Sequence, residues 1–470
     1  MRGLLIGDSG TLKSVMTERE KMTEHLRAVV STLMPRARED LTTLVALRSV
    51  ADARQFPPEE CASAAQWVLE AFREQGFADV ESIETSDGSA AVIGFRPGPA
   101  DAPTVLLYCH YDVQPPGSEE LWESPPFTLT ERAGRWYGRG ASDCKGNVVM
   151  HLTALRALAA AGLEPTVGVR IVAEGSEEMG TGGLEDLLRD RPELFAADMI
   201  LIGDTGNTEV GAPTITTTLR GMANVVVHVS TLEGEVHSGA YGGAAPDAVT
   251  ALVQMLSTLH DEYGNTTVDG LTNDQRWDGV EYGEDRFRAD AGVLDGVGLS
   301  GSGSVAEQVW ARPALTILGI DCPPVVGSAA AIAPRASARL NLRVPPGTDP
   351  VVAQDLLIGH LLAAAPWNVR VSVEPESTGK PFSASTGGPG YKQLRAALSG
   401  AYGAEVRFAG QGGSIPLCNA LAEQFPDAEI ALIGVEEPLC RIHAPNESVD
   451  PSEIENLALA EALFLSRFSS

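Results

Sequence analysis

Hydrophobic positions in the first part of the chain alternate between helical and strand spacing. Ala64, Val68 and Phe72 recur at the spacing of one helix face, and the pattern stops at Gly76. Short apolar runs between turn residues predict buried strands. The predicted helices are 60–75, 147–161 and 183–189, and the predicted strands are 90–95, 104–109, 167–173 and 198–202. This alternation favours an α/β domain with a mainly parallel sheet and helices on both faces.

The pattern changes near Arg220 and changes back near Pro381. The strands predicted between these points are 222–230, 313–318, 336–343 and 367–373, and the helices are 248–259 and 350–363. This order fits a small β-α-β-β-α-β unit of the ferredoxin-like α+β type. Residues 261–312 are long, polar and rich in glycine, so we predict an insertion without an assigned structure. After about Pro381, where the first pattern resumes, we predict helices 391–402 and 452–467 and strand 429–433.

One domain is therefore predicted to be inserted into another. We expect a discontinuous catalytic domain, 20–218 and 382–470, and an inserted lid or dimerisation domain, 219–381. The segment 1–19 is predicted to be a disordered N-terminus, with too short an apolar stretch for a signal peptide.

Composition limits the function classes. The 470 residues carry 34 basic and 63 acidic side chains, a net charge of -29, which argues against nucleic-acid and anionic-membrane partners. Hydrophobic residues make up 44%, enough for substantial cores. The six cysteines form no C-x-x-C pair, so neither a disulfide framework nor a thiolate zinc site is indicated, and we expect a cytoplasmic protein.

Polar residues with metal-binding chemistry follow the predicted strands. His110 and Asp112 end the apolar run 104–109, and alternate residues of a strand share a face. Because ligands bind at the carboxyl ends of parallel strands, this end of the sheet is a candidate site. The other residues that we expect there are Glu177, Glu178 and Asp204, which follow strands, and Asp143 in a glycine-rich loop.

Two histidines with several carboxylates indicate a hydrolytic metal site. His443, near the chain end, supplies the second histidine, and the set suits zinc, manganese or cobalt. Two metals need a bridging carboxylate, for which Asp143 is the natural candidate, and one carboxylate must stay free to take a proton. The adjacent pair Glu177 and Glu178 offers one ligand and one base.

The remaining histidines fall into two groups. His237 lies in a glycine-rich loop, 235–243, where it is either functional, for example as a third metal-binding histidine, or structural. We interpret the other five as structural or surface residues. Four of them lie in helical contexts without acidic neighbours arranged around them, namely His25, His151, His260 and His360, and His228 alternates within a strand.

The chain resembles a known family through ordered motifs. They are His-Tyr-Asp-Val-Gln-Pro (110–115), Gly-Arg-Gly-Ala-Ser-Asp-Cys-Lys-Gly (138–146), Glu-Gly-Ser-Glu-Glu-Met-Gly (174–180), Leu-Arg-Gly (219–221), His-Ser-Gly-Ala-Tyr-Gly-Gly (237–243), Gly-Gly-Ser-Ile-Pro (412–416) and His443. They resemble the two-zinc aminoacylase and carboxypeptidase family, most closely its carnosinase-like dipeptidase branch. Cys109 departs from the family's usual glycine, without removing a ligand.

The resemblance implies a role for each matching residue. His110 and Asp204 would bind one zinc, His443 and Glu178 the other, and Asp143 would bridge them. It further implies that Glu177 is the general base, that Asp112 orients His110, and that His237 stabilises the oxyanion in the other subunit of a homodimer formed through the inserted domain. It also implies that Arg343, Gly413 and Ser414 bind the substrate's carboxylate.

The expected function is that of a cytoplasmic dipeptidase with two zinc ions, with manganese or cobalt as alternatives. An N-acyl-amino-acid amidohydrolase or deacylase is the alternative enzyme, because it would use the same metal core. A non-catalytic binding protein on the same scaffold is disfavoured, since the base and all five ligand candidates are present. A P-loop transferase is disfavoured because no G-x-x-x-x-G-K-[ST] motif occurs.

Overall fold

The structure is a computed structural model that describes residues 18–413 and 415–469. Its helices are α1 (Glu18–Ala46), α2 (Pro58–Arg73), α3 (Lys145–Ala160), α4 (Gly183–Asp190), α5 (Ser238–Tyr241), α6 (Ala248–Ser257), α7 (Glu284–Asp290), α8 (Pro350–Ala363), α9 (Pro389–Tyr402), α10 (Pro416–Gln424) and α11 (Pro451–Leu465).

The strands include those of a large sheet, a smaller sheet and two short ribbons. They are β1 (Glu81–Glu84), β2 (Ala90–Arg96), β3 (Thr104–His110), β4 (Thr130–Arg132), β5 (Arg135–Tyr137), β6 (Gly168–Glu174), β7 (Met199–Gly203), β8 (Thr214–Leu219), β9 (Gly221–Ser230), β10 (Val236–His237), β11 (Ala314–Asp321), β12 (Ala331–Ile332), β13 (Arg335–Val344), β14 (Arg370–Gly379), β15 (Phe382–Ser383), β16 (Arg407–Gln411), β17 (Glu429–Ile433) and β18 (Ser448–Val449).

The large sheet has a parallel centre. Its order is β1-β2-β6-β3-β7-β17-β8-β15, with β16 paired to β8. Strands β6, β3, β7 and β17 run parallel to one another, whereas β1, β2 and β15 pair antiparallel with their neighbours and β17 meets β8 antiparallel. The predicted α/β fold with a mainly parallel central sheet is therefore confirmed, with antiparallel strands added at its edges.

Helices cover both faces of this sheet. Val105 and Leu107 of β3 point into a core shared with α1, α2, α3, α9 and α11. Leu106 and Tyr108, the alternate residues of the same strand, point into a second core shared with α4 and α10. Since both faces are buried, the strand reads as a continuous apolar run rather than an alternating one.

The smaller sheet is antiparallel and has the order β11-β13-β9-β14. Helices α6 and α8 pack on one face, where Leu252 and Leu357 join Val227 and Leu340 in a separate core. The chain order β9-α6-β11-β13-α8-β14 is the predicted β-α-β-β-α-β unit. Strand β11 lies at the edge of this sheet.

The chain leaves the large sheet and returns to it at adjacent points. Strand β8 ends at Leu219 and β9 begins at Gly221, while β14 ends at Gly379 and β15 begins at Phe382. A Cβ at Gly221 would lie 2.3 Å from the carbonyl oxygen of Gly379, so only glycine permits this crossing. The division into 20–218 with 382–470 and 219–381 stays a prediction, which these crossings support.

Two segments differ from the sequence-based expectations. Helix α1 begins at Glu18, before the predicted start of the catalytic domain, and residues 1–17 of the predicted disordered segment lie outside the described residues. The insertion 261–312 contains α7 and a helical turn, Glu307–Ala311. The insertion also contacts the large sheet at β16, because the Val280 N–H donates a 2.8 Å hydrogen bond to the Phe408 carbonyl.

No helix in residues 18–413 and 415–469 is both long and apolar enough to cross a membrane.

Candidate metal centre

The parallel strands bring the candidate residues to one edge of the large sheet. His110 is the last residue of β3, while Glu177 and Glu178 follow β6 and Asp204 follows β7. Because β6, β3 and β7 are parallel neighbours, their carboxyl ends lie side by side. Asp143 enters from the loop before α3, and His443 from the loop before β18.

His110 is buried between two carboxylates. Its Nε2 lies 3.0 Å from Asp143 Oδ1 and 3.1 Å from Asp204 Oδ1, and its side chain has no exposed surface. Its Nδ1 lies 3.1 Å from the backbone carbonyl oxygen of Asp112. That contact orients the ring so that Nε2 faces the carboxylates.

Asp143 connects the two histidines. Its Oδ1 lies 3.0 Å from His110 Nε2, and its Oδ2 lies 3.0 Å from His443 Nε2. Hydrogen bonds from both histidines hold the pKa of Asp143 below its usual value, although burial opposes this. The carboxylate is therefore ionised and presents one oxygen to each side.

The second side of the cluster contains His443 and Glu178. His443 Nε2 lies 3.2 Å from Glu178 Oε2, which also accepts a 2.8 Å hydrogen bond from Gln114 Nε2. Hydrogen bonds with Asp143 and Glu178 raise the pKa of His443 to about 10. The Oε1 atom of Glu178 is buried and has no hydrogen-bond partner within residues 18–413 and 415–469. A buried carboxylate oxygen without a partner fits a cation ligand.

Asp112 links His110 to the glutamate pair. Its side chain is fully buried, and its Oδ1 lies 3.3 Å from His110 Nδ1. The same carboxylate accepts the backbone N–H of Glu177 through Oδ1 and that of Glu178 through Oδ2, both at 3.1 Å. One side chain thus fixes the histidine and the two glutamates relative to each other.

Glu177 is the carboxylate that stays outside these contacts. It is half-buried, and its carboxylate has no hydrogen-bond partner in the described part of the chain. Burial, with Asp204 and Glu178 nearby, raises the pKa of Glu177 well above its usual value. A free carboxylate with a raised pKa can take up and release a proton.

Glu447 was not predicted as a site residue, although it lies four positions after His443. It is fully buried, and its Oε1 accepts the N–H groups of Ser142 and Asp143 at 3.1 Å. Its Oε2 accepts from Arg139 Nη1 at 2.6 Å and from the Gly140 N–H at 2.9 Å. This carboxylate therefore holds the glycine-rich loop that presents Asp143.

Glu436 was also not predicted. Its carboxylate lies within 4.8 Å of ligand atoms of Asp143 and Asp204, and the residue is 6% exposed. Burial and the charges of Asp143 and Asp204 raise its pKa well above the usual value. The sequence signal was weak, because Glu436 lies seven positions before His443 in a segment without metal-site spacing.

Cys144 lies near the cluster but is held as a thiol. Its Sγ belongs to a group with His110 and Asp204 that lies within 4.8 Å. The thiol donates to the Gly203 carbonyl at 2.9 Å, and burial raises its pKa to about 12. The thiolate that a metal requires is thus disfavoured.

The residues expected to bind the substrate's carboxylate lie close to a second arginine, Arg220. Arg343 in β13 is half-buried, and burial followed by the charge of Arg343 lowers the pKa of Arg220 to about 10. Arg220 is 8% exposed, and its Nε has no partner among the residues described. A Cβ at Gly412 would lie 2.9 Å from Arg220 Nη2, so the loop containing Gly413 borders this guanidinium. Ser414 lies outside the described residues.

His237 does not join the cluster within its own chain. It is exposed at the start of α5, and its Nδ1 accepts the N–H of Ala240 at 3.2 Å. It belongs to none of the potential metal-binding groups among the described residues. The interpretation of His237 as a third metal-binding histidine therefore finds no support in this chain.

The expectation that the four histidines in helical contexts lack acidic neighbours is wrong for His360, whose Nδ1 lies 3.3 Å from Asp269 Oδ2, and for His151. The Nδ1 of His151 lies 2.6 Å from Glu461 Oε2, and both side chains are fully buried. The acidic partner of His151 comes from α11, far along the chain, so local sequence could not reveal it. This pair joins α3 to α11 and belongs to the core.

Comparison with known proteins identifies the family. The sequence model of "Peptidase family M20/M25/M40" matches residues 106–467. The chain belongs to this family. The family is metal-dependent, and the chain is an M20 peptidase.

Two curated relatives are similar over most of the chain. A cysteinylglycine-S-conjugate dipeptidase of Corynebacterium striatum is 47% identical over 406 residues, which cover 86% of this chain and 89% of the relative. A Beta-Ala-His dipeptidase of Rattus norvegicus is 26% identical over 409 residues, which cover 83% and 82%.

Solved structures share the fold. Human carnosine dipeptidase 1 aligns with a TM-score of 0.79 and 22% identity, covering 95% of this chain and 98% of that one. The dipeptidase Dug1p of Saccharomyces cerevisiae aligns with a TM-score of 0.78 and 21% identity, covering 94% and 98%. These likenesses extend the fold assignment to nearly the whole chain.

Proposed function

We propose that the protein hydrolyses the amide bond of dipeptides, or of short peptides with a free carboxylate, using two divalent metal ions. The observation that carries this proposal is Asp143, whose two oxygens face His110 and His443 separately. A carboxylate in this position fits a bridge between two cations. The dipeptidase names of the curated relatives support the substrate class.

The donor set fits two cations. His110 and Asp204 would hold one, His443 and Glu178 the other, and Asp143 both. Imidazole and carboxylate donors without a thiolate suit zinc, which we propose as the resident metal, and also suit manganese and cobalt. When bound, such a pair supplies Lewis acidity that polarises a carbonyl and lowers the pKa of water.

Glu177 would move the proton. Its free carboxylate accepts a proton from the water that attacks the scissile carbonyl carbon, where the C–O bond forms. It then gives this proton to the amide nitrogen as the C–N bond breaks and the amine leaves. Its raised pKa, caused mainly by burial, suits a group that must hold a proton between these steps.

Asp112 would act as a positioning residue. Its carboxylate accepts the N–H groups of Glu177 and Glu178 and contacts His110. It thereby keeps the base and two of the proposed ligands in register, as hydrogen-bonded partners of metal ligands do.

Arg343 and Arg220 would bind the substrate's carboxylate. Arg343 lies close enough to lower the pKa of Arg220, and neither arginine has a carboxylate partner in the described part of the chain, although Arg220 Nη1 donates to the carbonyls of Gln308 and Arg312. Two partly buried cations without an anion favour an anionic ligand. Gly413 and Ser414, in the loop next to Arg220, would complete this subsite.

We also propose a homodimer formed through the smaller sheet. Ile317, Leu318 and Ile320 on the edge strand β11 are 40%, 53% and 47% exposed. An apolar edge strand is a template for pairing with another chain. In such a dimer, His237 of one subunit would stabilise the oxyanion in the site of the other.

The substrates would include S-substituted cysteinylglycine, because the relative that is 47% identical carries that name. An N-acyl-amino-acid amidohydrolase is not favoured, since both curated relatives described above are named dipeptidases. A reducing compartment such as the cytoplasm fits the cysteines, all of which are free.

The test combines a metal count with a substrate panel. Purified protein is reconstituted with zinc, and its metal content is measured together with hydrolysis of Cys-Gly, Ala-Gly and N-acetyl amino acids. We expect two metals per chain and cleavage of the dipeptides only. Cleavage of the acetylated amino acids alone would instead establish the amidohydrolase.

The role of Glu177 is tested in the same assay. Glu177→Gln should keep both metals and lower turnover by about 10²–10⁴-fold, the range for a lost general base. Glu81→Gln, at an exposed position of β1, is the control and should behave like the unaltered protein. Normal turnover in Glu177→Gln would contradict the assignment.

A further inference from the structure

A cavity of about 440 Å³ lies beside the metal centre. Glu436 and Ile442 line it, and Glu436 is the carboxylate within 4.8 Å of Asp143 and Asp204, while Ile442 precedes His443. The cavity thus shares a wall with the proposed metal centre. Its volume lies within the range of small-ligand sites, roughly 300–1,000 Å³.

Residues of the insertion also line the cavity, and two of them, Tyr282 and Trp310, are aromatic. The rings of Tyr282 and Trp310 are stacked, with centroids 5.5 Å apart and an interplanar angle of 20°. Trp310 packs on the edge strand β16, where a Cβ at Gly410 would lie 2.6 Å from Trp310 Cβ. Glycine at 410 therefore lets the indole approach the sheet. Because Trp310 is only 7% exposed, the half-buried ring of Tyr282 supplies most of the accessible aromatic surface.

Two of the three arginines that line the cavity are paired with protein carboxylates, whereas the third, Arg441, is exposed to solvent and has no carboxylate partner among the described residues. Arg286 Nη1 lies 2.9 Å from Glu209 Oε2, and its Nε lies 3.3 Å from Asp290 Oδ2. Arg407 pairs with the same Glu209. The cavity consequently lacks the unpaired, buried cation that a substrate carboxylate would require, unlike the region of Arg220 and Arg343.

From this combination we infer that the cavity binds the side chain of the substrate's amino-terminal residue, and that it selects large, flat, apolar groups. Suitable groups are an aromatic side chain or an aromatic S-substituent on cysteine. The carboxyl-terminal residue is directed elsewhere, because its carboxylate pairs with Arg220 and Arg343. This inference rests on the proposed dipeptidase function and names the part of the site that would set its specificity.

The test is a substitution that places a large side chain in the cavity from a solvent-exposed position. Ala291 lines the cavity and is exposed at the end of α7, so Ala291→Trp adds bulk without altering a buried core. Ala289→Trp is the matched control, because Ala289 is exposed on the same helix and does not line the cavity. The measured quantity is kcat/KM for S-benzyl-Cys-Gly and for Ala-Gly, with zinc-loaded protein.

We expect Ala291→Trp to lower kcat/KM for S-benzyl-Cys-Gly by about tenfold or more, a typical effect of altered pocket volume. Ala-Gly should change by less than about twofold, since its methyl group leaves the cavity largely unfilled. Ala289→Trp should change neither. An equal loss for both substrates in Ala291→Trp, or no loss for either, would overturn the inference.

Two further measurements test which residue of the substrate enters the cavity and whether the aromatic ring of Tyr282 sets the preference. The unaltered protein should prefer S-benzyl-Cys-Gly over Gly-S-benzyl-Cys, and the reverse preference would contradict the assignment to the amino-terminal residue. Tyr282→Ala, which removes the more accessible ring, should reduce the preference for S-benzyl-Cys-Gly over Ala-Gly. Cleavage of Ala-Gly reports on the proposed function independently, and its absence in the unaltered protein would overturn both proposals.

Discussion

The two halves of the donor cluster are held in different ways. His110 and Asp204 lie at the ends of adjacent parallel strands, and their side chains are 0% and 9% exposed. His443 lies in a loop with φ of 60°, and its side chain is 52% exposed, although its neighbour Glu178 is only 6% exposed. Burial and strand geometry thus fix one half, whereas the other depends on a surface loop.

This difference predicts unequal behaviour of the two metals that we propose on either side of Asp143. The half at the strand ends is preformed, because the sheet and the Asp112 contact define where His110 points. The half at His443 can open with its loop, since loops are more mobile than the elements that they connect. We therefore expect the metal at His443 to exchange faster than the metal at His110.

The largest expected effect comes from removing the residue that both halves share. Asp143→Ala should abolish binding of both metals and bring hydrolysis to background, because each histidine loses its common partner. Metal content by elemental analysis after zinc reconstitution checks this result. Asp190→Ala, at an exposed position at the end of α4, is the control. Retention of one full metal equivalent would show that the two halves are independent.

The second prediction compares the two histidines directly. In metal-free protein, His110→Ala should lower the free energy of unfolding by about 3–5 kcal/mol, because it leaves buried carboxylates without a partner. His443→Ala should cost less, because its side chain is 52% exposed and water screens its contacts with the buried carboxylates of Asp143 and Glu178. Urea unfolding in EDTA measures both, and each variant should bind one metal fewer. Equal losses of stability would refute the asymmetry.

The same asymmetry explains how much the sequence could predict. The ends of β3, β6 and β7 were evident from apolar runs, so the approach of His110, Glu177, Glu178 and Asp204 followed from the topology of a parallel sheet. The smaller sheet was predictable for a similar reason, since its apolar strands and helices alternate clearly along the chain.

The rest was missed for different reasons. Helix α1 has a buried apolar face at helical spacing, with Leu26, Val30, Leu41 and Leu44 in the core, but Pro35 inside the helix argues against a continuous helix in the sequence. Glu447 and Glu436 act through partners about 300 positions away, as in the contacts of Glu447 with residues 139–143. The aromatic residues that line the cavity lie in the insertion 261–312, whose composition resembles a loop.

The third prediction concerns the pH dependence of stability at Glu174, which lies next to His110 in the buried half of the cluster. Glu174 pairs in register with His110 on the neighbouring strand, and burial raises its pKa to about 8, although Tyr108 donates a 2.7 Å hydrogen bond to it. In the unfolded chain it would ionise near 4.5. The folded protein therefore favours the protonated form of Glu174. The stability that goes with this form is fully present below pH 4.5 and is lost as pH rises through about 8.

Glu174→Gln removes this pH dependence, because glutamine mimics the protonated carboxyl. In EDTA, the variant should be more stable than the unaltered protein at pH 9 by on the order of 3 kcal/mol, and the gain should shrink towards pH 5. Glu81→Gln, on the exposed strand β1, should show no such trend. A gain that is independent of pH would mean that Glu174 is ionised at neither or both pH values.

The smallest effect is expected from Glu447→Gln, which acts on Asp143 through the backbone. The glutamine loses the charge that faces Arg139 and replaces one acceptor of the N–H groups of Gly140, Ser142 and Asp143 with a donor. We expect affinity for both metals to fall by about 10–100-fold, the range for hydrogen-bonded partners of metal ligands. Competition with a chromophoric chelator measures this change. Because Asp143 faces both histidines, the two affinities should fall together. Loss at the His443 side alone would mean that the loop 441–447, rather than Asp143, carries the effect.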